Sequence, residues 1–302
     1  MADRVIIAIP TFRRPKSLAR LLYAIARLKT EADISVLVAD NDAEAHQGFD
    51  FCLNLAPGYR WPLKAVIERA RGIAQVRNRL VAEVLKSNAQ FIAMIDDDEW
   101  PDENWIEELL RAQHAVRADA IQGSVLFTGT ASGSKPVSDI RHASGLVEML
   151  EGAGNLLVRR EVFETIAAPW FDPAFALTGG EDFDFFMRLK KAGCRFAWAD
   201  QARALGDVPP LRNELTWAMR RAYSNGNSDM RVILKHQPGV VSMAREGSKI
   251  VGALLLSLPL ALILAFSPNH RRQPLTRLCR AAGKLTAMAG QRYNEYAVVH
   301  GE

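Results

Sequence analysis

The sequence predicts an α/β fold with a mostly parallel sheet and helices on both of its faces, and two observations support that prediction. Apolar runs of strand length alternate with stretches of helical periodicity over roughly the first 120 of the 302 residues. The apolar runs are continuous rather than alternating with polar residues, which indicates strands that are buried on both faces. Strands that alternate with helices favour parallel, right-handed βαβ units.

The elements follow from their patterns in chain order. The first strand, residues 4–10, ends at Pro10, and the first helix begins near Pro15, because proline is favoured in a first helical turn. The last helix of this series ends near Gly193, a residue type that favours helix termination. The elements predicted between them are a strand at 34–42, a helix at 72–87, a strand at 89–98, a helix at 102–116, a strand at 119–127, and a strand and helix within 152–166.

The C-terminal third of the chain is strongly basic. Residues 1–211 have a net charge of −4, whereas residues 212–302 have a net charge of +8. Such a segment favours a partner that carries phosphates, either a nucleic acid or an anionic membrane. In the basic segment 274–288 no aromatic residue interleaves with the arginines and the lysine to stack on bases, so we expect no nucleic-acid partner. The three cysteines are far apart in the sequence, which argues against disulfides or a zinc site.

An uncharged apolar segment, residues 250–266, lies within this basic region. As a helix its 17 residues would reach about 26 Å, near the lower limit for spanning a bilayer, and Pro259 would kink it. Basic residues flank both ends, so the positive-inside rule gives no crossing direction. We expect a membrane-associated segment that either spans the bilayer or lies in it, with a buried core helix as the alternative.

A basic amphipathic helix is predicted next, at residues 274–290. It would lie on anionic lipid headgroups, with an ordinary surface helix as the alternative. We therefore predict two domains, an α/β domain at 1–230 and a helical membrane-association region at 231–302. The apolar positions of the amphipathic helix are Leu275, Leu278, Ala282, Leu285 and Met288, and Arg277, Arg280 and Lys284 fall between them.

Polar residues follow three of the predicted strands. Thr11 follows Pro10 after the first strand, the segment 40–42 (Asp-Asn-Asp) ends the second, and Asp96–Asp98 ends the third. Ligands bind at the carboxyl ends of the strands in such sheets, so these groups should meet in one crevice. Carboxylates there would bind a hard cation such as Mg²⁺, which takes one or two carboxylates together with substrate phosphates. A solvated acidic turn is the alternative interpretation.

A second acidic group, Glu181 and Asp182, begins a predicted helix after two glycines. A carboxylate there could act as a general base that removes a proton from an attacking hydroxyl group. The alternative is structural, because the helix dipole favours acids in a first turn. The sequence contains no glycine-rich phosphate loop and no GxSxG motif, so any phosphates must be held by a metal and by arginines. The candidate arginines are Arg71, Arg77, Arg220 and Arg221.

The order of these motifs resembles glycosyltransferase family 2, whose members use nucleotide-sugars and have the Rossmann-like GT-A fold. The matching segments are IPTFRRP, VADND, RGIAQVRN, MIDDDEWP, GGEDFDFFMRLKKAG and MRRAYSNGN, within residues 4–230. The sequence is most similar in character to bacterial exopolysaccharide transferases of the succinoglycan type. The resemblance implies an inverting transfer by a single displacement at the anomeric carbon. The QxxRW motif of processive synthases is absent, which implies the addition of one sugar per encounter.

The resemblance also implies roles for individual residues. Asp98 would be the direct ligand of Mg²⁺ or Mn²⁺, and Asp96 would contact the ribose or support the metal ligand. Asp182 would be the catalytic base, with Glu181 beside it on the acceptor side. Asp97 is grouped with the nucleotide-sugar contacts but is expected to face solvent. The implied nucleotide-sugar contacts are Pro10, Thr11, Arg13, Asp40 (on the base), Arg71, Arg77, Asp96, Asp97, Arg220 and Arg221.

Two positions depart from the family pattern. Asn41 stands where many members have an acid. Some members offer a late histidine to the metal, and the corresponding segment here, ARALGDVPP, contains none. Asp207 could replace it; otherwise Asp98, phosphates and water would complete the metal shell.

The sequence thus predicts an inverting, metal-dependent enzyme of bacterial surface polysaccharide synthesis. It would transfer a sugar from a nucleotide diphosphate, expected to be UDP, to a saccharide linked to polyprenyl diphosphate at the cytoplasmic face of the inner membrane. The alternatives are a non-lipid acceptor (a protein, small molecule or glycan), a nucleotidyltransferase, whose glycine-rich loop with a lysine is missing, and an inactive scaffold that binds nucleotide-sugars. The identity of the sugar and the oligomeric state stay open.

Overall fold

The structure is a computed structural model, and it divides into two compact units. The first contains Met1–Ala176 and Asp184–Val208, and the second contains Leu177–Phe183 and Pro209–Val299, in each case as far as these residues are described. The predicted boundary at residue 230 lies inside a helix of the second unit. The described residues are 2–128, 138–207, 214–264, 267 and 270–295.

Strands and helices alternate at the start of the first unit, as the apolar patterns predict. The strands are β1 (Arg4–Thr11), β2 (Asp33–Asp40), β3 (Leu63–Ile67), β4 (Phe91–Ile95), β5 (Glu99–Pro101), β6 (Ala120–Thr128), β7 (Ser138–Ile140), β8 (Gly145–Val147), β9 (Asn155–Arg159) and β10 (Phe196–Asp207). The helices are α1 (Pro15–Ile25), α2 (Gln47–Leu55), α3 (Ile73–Val84), α4 (Trp105–Val116), α5 (Val162–Thr165), α6 (Glu181–Lys191), α7 (Leu215–His236), α8 (Val240–Ile263) and α9 (Arg272–Met288).

One sheet runs through the first unit in the order β3-β2-β1-β4-β9-β6-β10-β5. The strands β3, β2, β1 and β4 are mutually parallel, and β6 is parallel to β10. Between these two groups, β9 runs antiparallel to both β4 and β6, so the sheet is mixed. The strand predicted at 119–127 therefore does not pair with the strand predicted before it. Apolar patterns identify strands but do not say which strands pair.

The elements β3 and α2 lie where the sequence analysis predicts none. Along β3 only Val66 is buried, because the strand is at the end of the sheet and pairs on one side with β2. A half-exposed edge strand lacks the continuous apolar run that identifies the central strands. The edge position therefore explains why β3 was missed, whereas β10, a largely buried strand inside the sheet, was missed as well.

Helices cover both faces of the sheet, which confirms the predicted α/β class. Ile7 and Ile9 of β1 are fully buried among residues of α1 and α4, whereas Ala8 packs with α3 on the other face. Side chains alternate between the faces along a strand, so a strand covered on both sides must be apolar at every position. Burying each such isoleucine contributes about 1.5–3 kcal/mol. The carboxyl ends of β1, β2 and β4 then lie along one edge of the sheet, as their parallel pairing requires.

Most of the described second unit consists of α7, α8 and α9. The backbones of α7 and α9 approach closely at two glycines. A Cβ atom added to Gly226 would collide with the carbonyl oxygen of Arg280, and one added to Gly283 would collide with that of Tyr223. Asn227 is buried at this contact and donates a hydrogen bond to the carbonyl oxygen of Gly283. The SNGN segment, residues 224–227, therefore packs α7 closely against α9.

The helix α8 extends over 24 residues and has a proline in its interior. Among the described residues it is the one helix that is long and apolar enough to cross a bilayer. Its buried residues are Glu246, Ile250 and Ser257, and its other apolar side chains are largely exposed. The predicted apolar segment 250–266 lies in this helix as far as Ile263, and its last two residues lie outside the described part of the chain.

The helix α9 occupies the region of the predicted amphipathic helix, but its basic residues have different partners from those expected. Arg280 pairs with Asp229 of α7, and Lys284 pairs with the buried Glu246 of α8. Two of the three basic residues assigned to lipid headgroups are thus bound inside the unit. The hydropathy pattern did not reveal which face of α9 is buried, because the residues on that face are small. They are Pro274, Ala281, Gly283 and Ala287.

Candidate functional site

The three aspartates after β4 have different environments. Asp97 is buried, with 6% of its surface exposed, and this corrects the expectation that it faces solvent. Its carboxylate accepts a hydrogen bond from Thr11 Oγ1 at 2.8 Å and lies 3.1 Å from Arg14 Nη1. Burial raises the pKa of Asp97 to about 7; Arg14 and Thr11 oppose this rise, and the charges of Asp96 and Asp98 add to it. Asp97 therefore links the triplet to the end of β1.

Asp96 and Asp98 are the accessible members of the triplet, each with 34% of its side chain exposed. Asp98 Oδ2 lies 3.0 Å from Arg14 Nη1, and Asp96 Oδ1 lies 3.1 Å from Arg77 Nη2. The two guanidinium groups offset much of the repulsion among three adjacent carboxylates. The sequence analysis missed Arg14, although it directly follows Arg13 in the segment TFRRP.

The triplet is chemically suited to hold a divalent cation. Asp96 and Asp98 offer accessible oxygen ligands, and Mg²⁺ or Mn²⁺ bound with substrate phosphates needs only one or two carboxylates. Within the described ranges, no group of three or more His, Cys, Asp or Glu residues forms a complete metal cage. Asp207, considered as a replacement for the missing histidine, instead lies 2.5 Å from Arg20, whose guanidinium stacks on Trp100. The residues present therefore fit a divalent cation that is held by the acidic triplet together with substrate phosphates.

The acids after β2 organise their own loop. Asp40 is 1% exposed, and its carboxylate accepts hydrogen bonds from the backbone N–H groups of Asp42 and Phe49, at 2.9 and 3.0 Å. Burial raises the pKa of Asp40 above its ordinary value. Asp42 pairs with Arg13 at 2.9 Å, and this contact lowers the pKa of Asp42. The structure thus places Asp40, assigned to the nucleotide base, inside the framework of the loop.

Asn41 explains the first departure from the family pattern. Its Nδ2 donates to the carbonyl oxygens of Glu68 and Ala70, at 3.0 and 2.8 Å, and its Oδ1 accepts from the N–H of Gly72 at 2.8 Å. An aspartate could accept but could not donate, and each carbonyl left unsatisfied would cost about 1–3 kcal/mol. Gly72 has φ +134° and begins α3, so Asn41 positions the segment that precedes Arg77.

Phe12 contacts both Arg13 and Arg71, two arginines that the sequence analysis assigns to the nucleotide-sugar. The guanidinium carbons of Arg13 and Arg71 lie 5.2 and 4.8 Å from the centre of its ring. Within the first unit, the structure therefore gathers the predicted contacts at the ends of β1, β2 and β4 and the start of α3. They are Pro10, Thr11, Arg13, Asp40, Arg71, Arg77, Asp96, Asp97 and Asp98.

The second acidic group lies in the second unit, at the start of α6. Glu181 is buried, whereas Asp182 is half-buried and accepts a hydrogen bond from the N–H of Phe183 at 2.7 Å. The preceding glycines, Gly179 and Gly180, have φ +74° and +94°, a region that side chains rarely adopt. Asp182 is thus the more accessible carboxylate, as a base that meets a substrate must be.

The two arginines predicted to hold the diphosphate from the C-terminal side lie on α7. Arg220 and Arg221 are both exposed, and Arg221 lies 3.3 Å from Glu295. They belong to the second unit, together with Asp182.

The N-terminal half of the chain matches a family model, and two curated proteins are similar to the chain. The model is described as glycosyl transferase family 2 and covers residues 6–166. The succinoglycan biosynthesis protein ExoM of Rhizobium meliloti (strain 1021) is 28% identical over 248 residues, which cover 78% of this chain and 76% of that protein. Chondroitin synthase of Escherichia coli is 26% identical over 86% of this chain, which spans only 42% of that protein.

Solved structures of TarS from S. aureus have a similar fold. The structure of its residues 1–349 with UDP has a TM-score of 0.54 at 14% identity, covering 99% of this chain and 95% of that one. The structure with UDP-GlcNAc has a TM-score of 0.53 at 12% identity, covering 95% and 92%. At such low identity the likeness concerns the fold alone.

Proposed function

This chain belongs to glycosyl transferase family 2, and from that premise we propose that it transfers a sugar from a UDP-linked donor to a lipid-linked acceptor with inversion. It is a glycosyltransferase related to proteins of exopolysaccharide synthesis. The observation that carries the proposal is the acidic triplet, in which Asp97 is anchored by Thr11 while Asp96 and Asp98 remain accessible. A UDP-bound neighbour of the same fold supports a UDP donor.

The proposed reaction is a single displacement. The oxygen of an acceptor hydroxyl forms a bond to the anomeric carbon, and the bond from that carbon to the diphosphate oxygen breaks, with its electron pair leaving on UDP. Asp182 takes the proton of the attacking hydroxyl as general base. A divalent cation at Asp98 would neutralise the diphosphate. Arg71 and Arg77 would contact the donor phosphates as charge-assisted hydrogen-bond donors. The contact of Arg220 and Arg221 with the diphosphate stays a prediction.

The proposed acceptor follows from α8. Its exposed apolar side chains would seat the second unit in a bilayer, where a polyprenyl-linked saccharide also resides. Confinement of enzyme and acceptor to one surface raises their effective concentration without new contacts. We therefore propose the cytoplasmic face of a bacterial inner membrane as the location, because nucleotide-sugar donors are cytoplasmic.

Membrane binding is expected to depend on the exposed face of α8. Leu255 and Leu256 are 70% and 73% exposed, so replacing both by aspartate should leave the fold intact but oppose insertion. Each acid costs about 2.5–3.5 kcal/mol in the hydrocarbon region, so vesicle binding should fall more than tenfold. The measurement is flotation of the full chain with phosphatidylglycerol vesicles. Leu53→Asp, at an exposed position of α2, is the matched control, and equal flotation of all three proteins would contradict the proposal.

Sugar transfer is expected to reach a lipid product. With radiolabelled UDP-sugars and bacterial membranes as the acceptor source, label should move into the organic-extractable fraction. Mild acid, which cleaves the bond between a saccharide and polyprenyl diphosphate, should then release the label as a water-soluble saccharide. Asp182→Asn protein is the negative control. Label that appears in protein or in a water-soluble glycan instead would exclude the lipid acceptor. Binding of UDP-sugars with no turnover under any of these conditions would indicate the inactive scaffold.

A further inference from the structure

The segment that carries the proposed base is attached to α7. Leu177–Phe183 belongs to the same compact unit as the C-terminal helices. Arg231 of α7 donates a hydrogen bond from Nη1 to Oγ1 of the buried Thr178, at 2.5 Å. This contact lies just before the two glycines that lead into α6, so α7 restrains the segment from which Asp182 projects.

A second contact of α7 lies two residues before Arg231 and pairs two charges. Asp229 forms an ion pair there with Arg280 of α9. Burial raises the pKa of Asp229, the positive charges of Arg280 and Lys284 oppose the rise, and the Asp182 carboxylate adds to it. The charges that act on Asp229 thus include two cations from α9, of which Arg280 contacts it directly, and the proposed base from α6. Lys284 is itself bound to Glu246 of α8.

The position of Arg280 is fixed by backbone packing. The collision that a Cβ at Gly226 would make involves the carbonyl oxygen of Arg280 itself, one turn of α7 before Asp229. Asn227 holds the same helix pair through Gly283. The cation is therefore carried on a rigid contact between α7 and α9 and not on a free surface helix.

We propose that Asp229 and Arg280 are positioning residues for the base, with Arg280 offsetting a carboxylate of α7 whose charge acts on Asp182. An unpaired Asp229 would repel a second carboxylate and raise the pKa of Asp182, so a larger fraction of the base would be protonated at a given pH. Arg280 would counter this effect and so favour the ionised form of Asp182, which can accept the proton of the acceptor hydroxyl. This inference depends on the proposed function of Asp182, and it gives Arg280 a role other than binding lipid headgroups.

The pH dependence of kcat/KM tests the inference, because its acid limb reports the base of the free enzyme. In the full-length enzyme, Arg280→Gln should move the acid limb upward by about half a pH unit or more, since Asp229 is left uncompensated. Asp229→Asn should move it downward, since a negative charge that acts on the base is removed while Arg280 remains. The double variant should return the limb close to the wild-type position. Arg277→Gln, on an exposed face of the same helix, is the control and should leave the limb unchanged.

The outcomes separate this inference from the proposed function. If Asp182→Asn keeps wild-type turnover, the base assignment is wrong and the inference fails with it. If Asp182→Asn is inactive but both single variants leave the acid limb unmoved, or move it in the same direction, the positioning role alone is excluded. A merely structural role would lower kcat and thermal stability in both variants without opposite shifts.

Discussion

Asp182→Asn is expected to lower kcat about 10²–10⁴-fold, the usual contribution of a positioned general base. Asparagine keeps the side-chain oxygen that accepts the hydrogen bond of the Phe183 N–H, so the start of α6 should stay folded. An amide cannot take the proton of the attacking hydroxyl, so the loss should appear in kcat. The measurement is initial-rate kinetics with a UDP-sugar and membrane acceptor, together with the UDP affinity, which should be unchanged.

The alternative for Asp182 is a structural acid at a helix N-terminus, and α4 supplies a matched control for it. Glu108 lies in the first turn of α4 and pairs with Arg111, so Glu108→Gln removes a charge from a comparable position. A helix-dipole contribution is worth about 0.3–1 kcal/mol and should cost stability rather than turnover. If Asp182→Asn behaves as Glu108→Gln does, the structural interpretation is correct and Asp182 is not the base.

Asp98→Asn is expected to remove most of the metal-dependent activity. Charge stabilisation by a bound cation is worth several kcal/mol, so the loss should exceed about 100-fold, and chelation of metal from the wild type should have the same effect. The affinity for Mn²⁺, measured by electron paramagnetic resonance with UDP present, should fall in parallel. This direct binding measurement separates loss of the metal ligand from other damage to catalysis.

Asp97→Asn is the matched control for Asp98→Asn, because the two residues are neighbours and share Arg14. Asp97 is buried and bonded to Thr11, so its substitution should disturb the junction of β1 and β4 and lower thermal stability more than Mn²⁺ affinity. Equal loss of Mn²⁺ affinity in both variants would mean that the triplet acts as a unit. Retention of Mn²⁺ affinity in Asp98→Asn would exclude Asp98 as the ligand.

Much of the fold could be predicted because the central strands are buried on both faces. Their apolar runs are long enough to identify β1, β2 and β4 from local sequence alone. The edge strand β3 was missed because it is half exposed, and the antiparallel position of β9 was missed because pairing joins residues distant in the chain. The resemblance to glycosyltransferase family 2 is confirmed by the family model, whereas the roles of individual site residues stay predictions.

The environment of the site residues could be predicted only in part. Strand ends placed Thr11 and Asp96–Asp98 together, since parallel strands align their carboxyl ends. Local sequence could not show that Asn41 serves the backbone of residues 68–72, nor that Arg14 counters two acids. Such contacts join positions about 30 to 80 residues apart, and only the assembled sheet brings them within hydrogen-bonding distance.

Local sequence patterns are sufficient to predict the strands and helices with strong periodicity, the order of the acidic motifs, and the apolar helix of the basic tail. These are local properties, set by which side chains must be buried at successive positions. Only the tertiary structure shows which of the three adjacent aspartates is buried. It also shows that the segment of Asp182 lies in the same compact unit as α7 and α9. The ion pair between Arg280 and Asp229 is likewise visible only in the tertiary structure. The physical reason is that burial and pairing of charges depend on neighbours supplied by distant segments, which no local pattern contains.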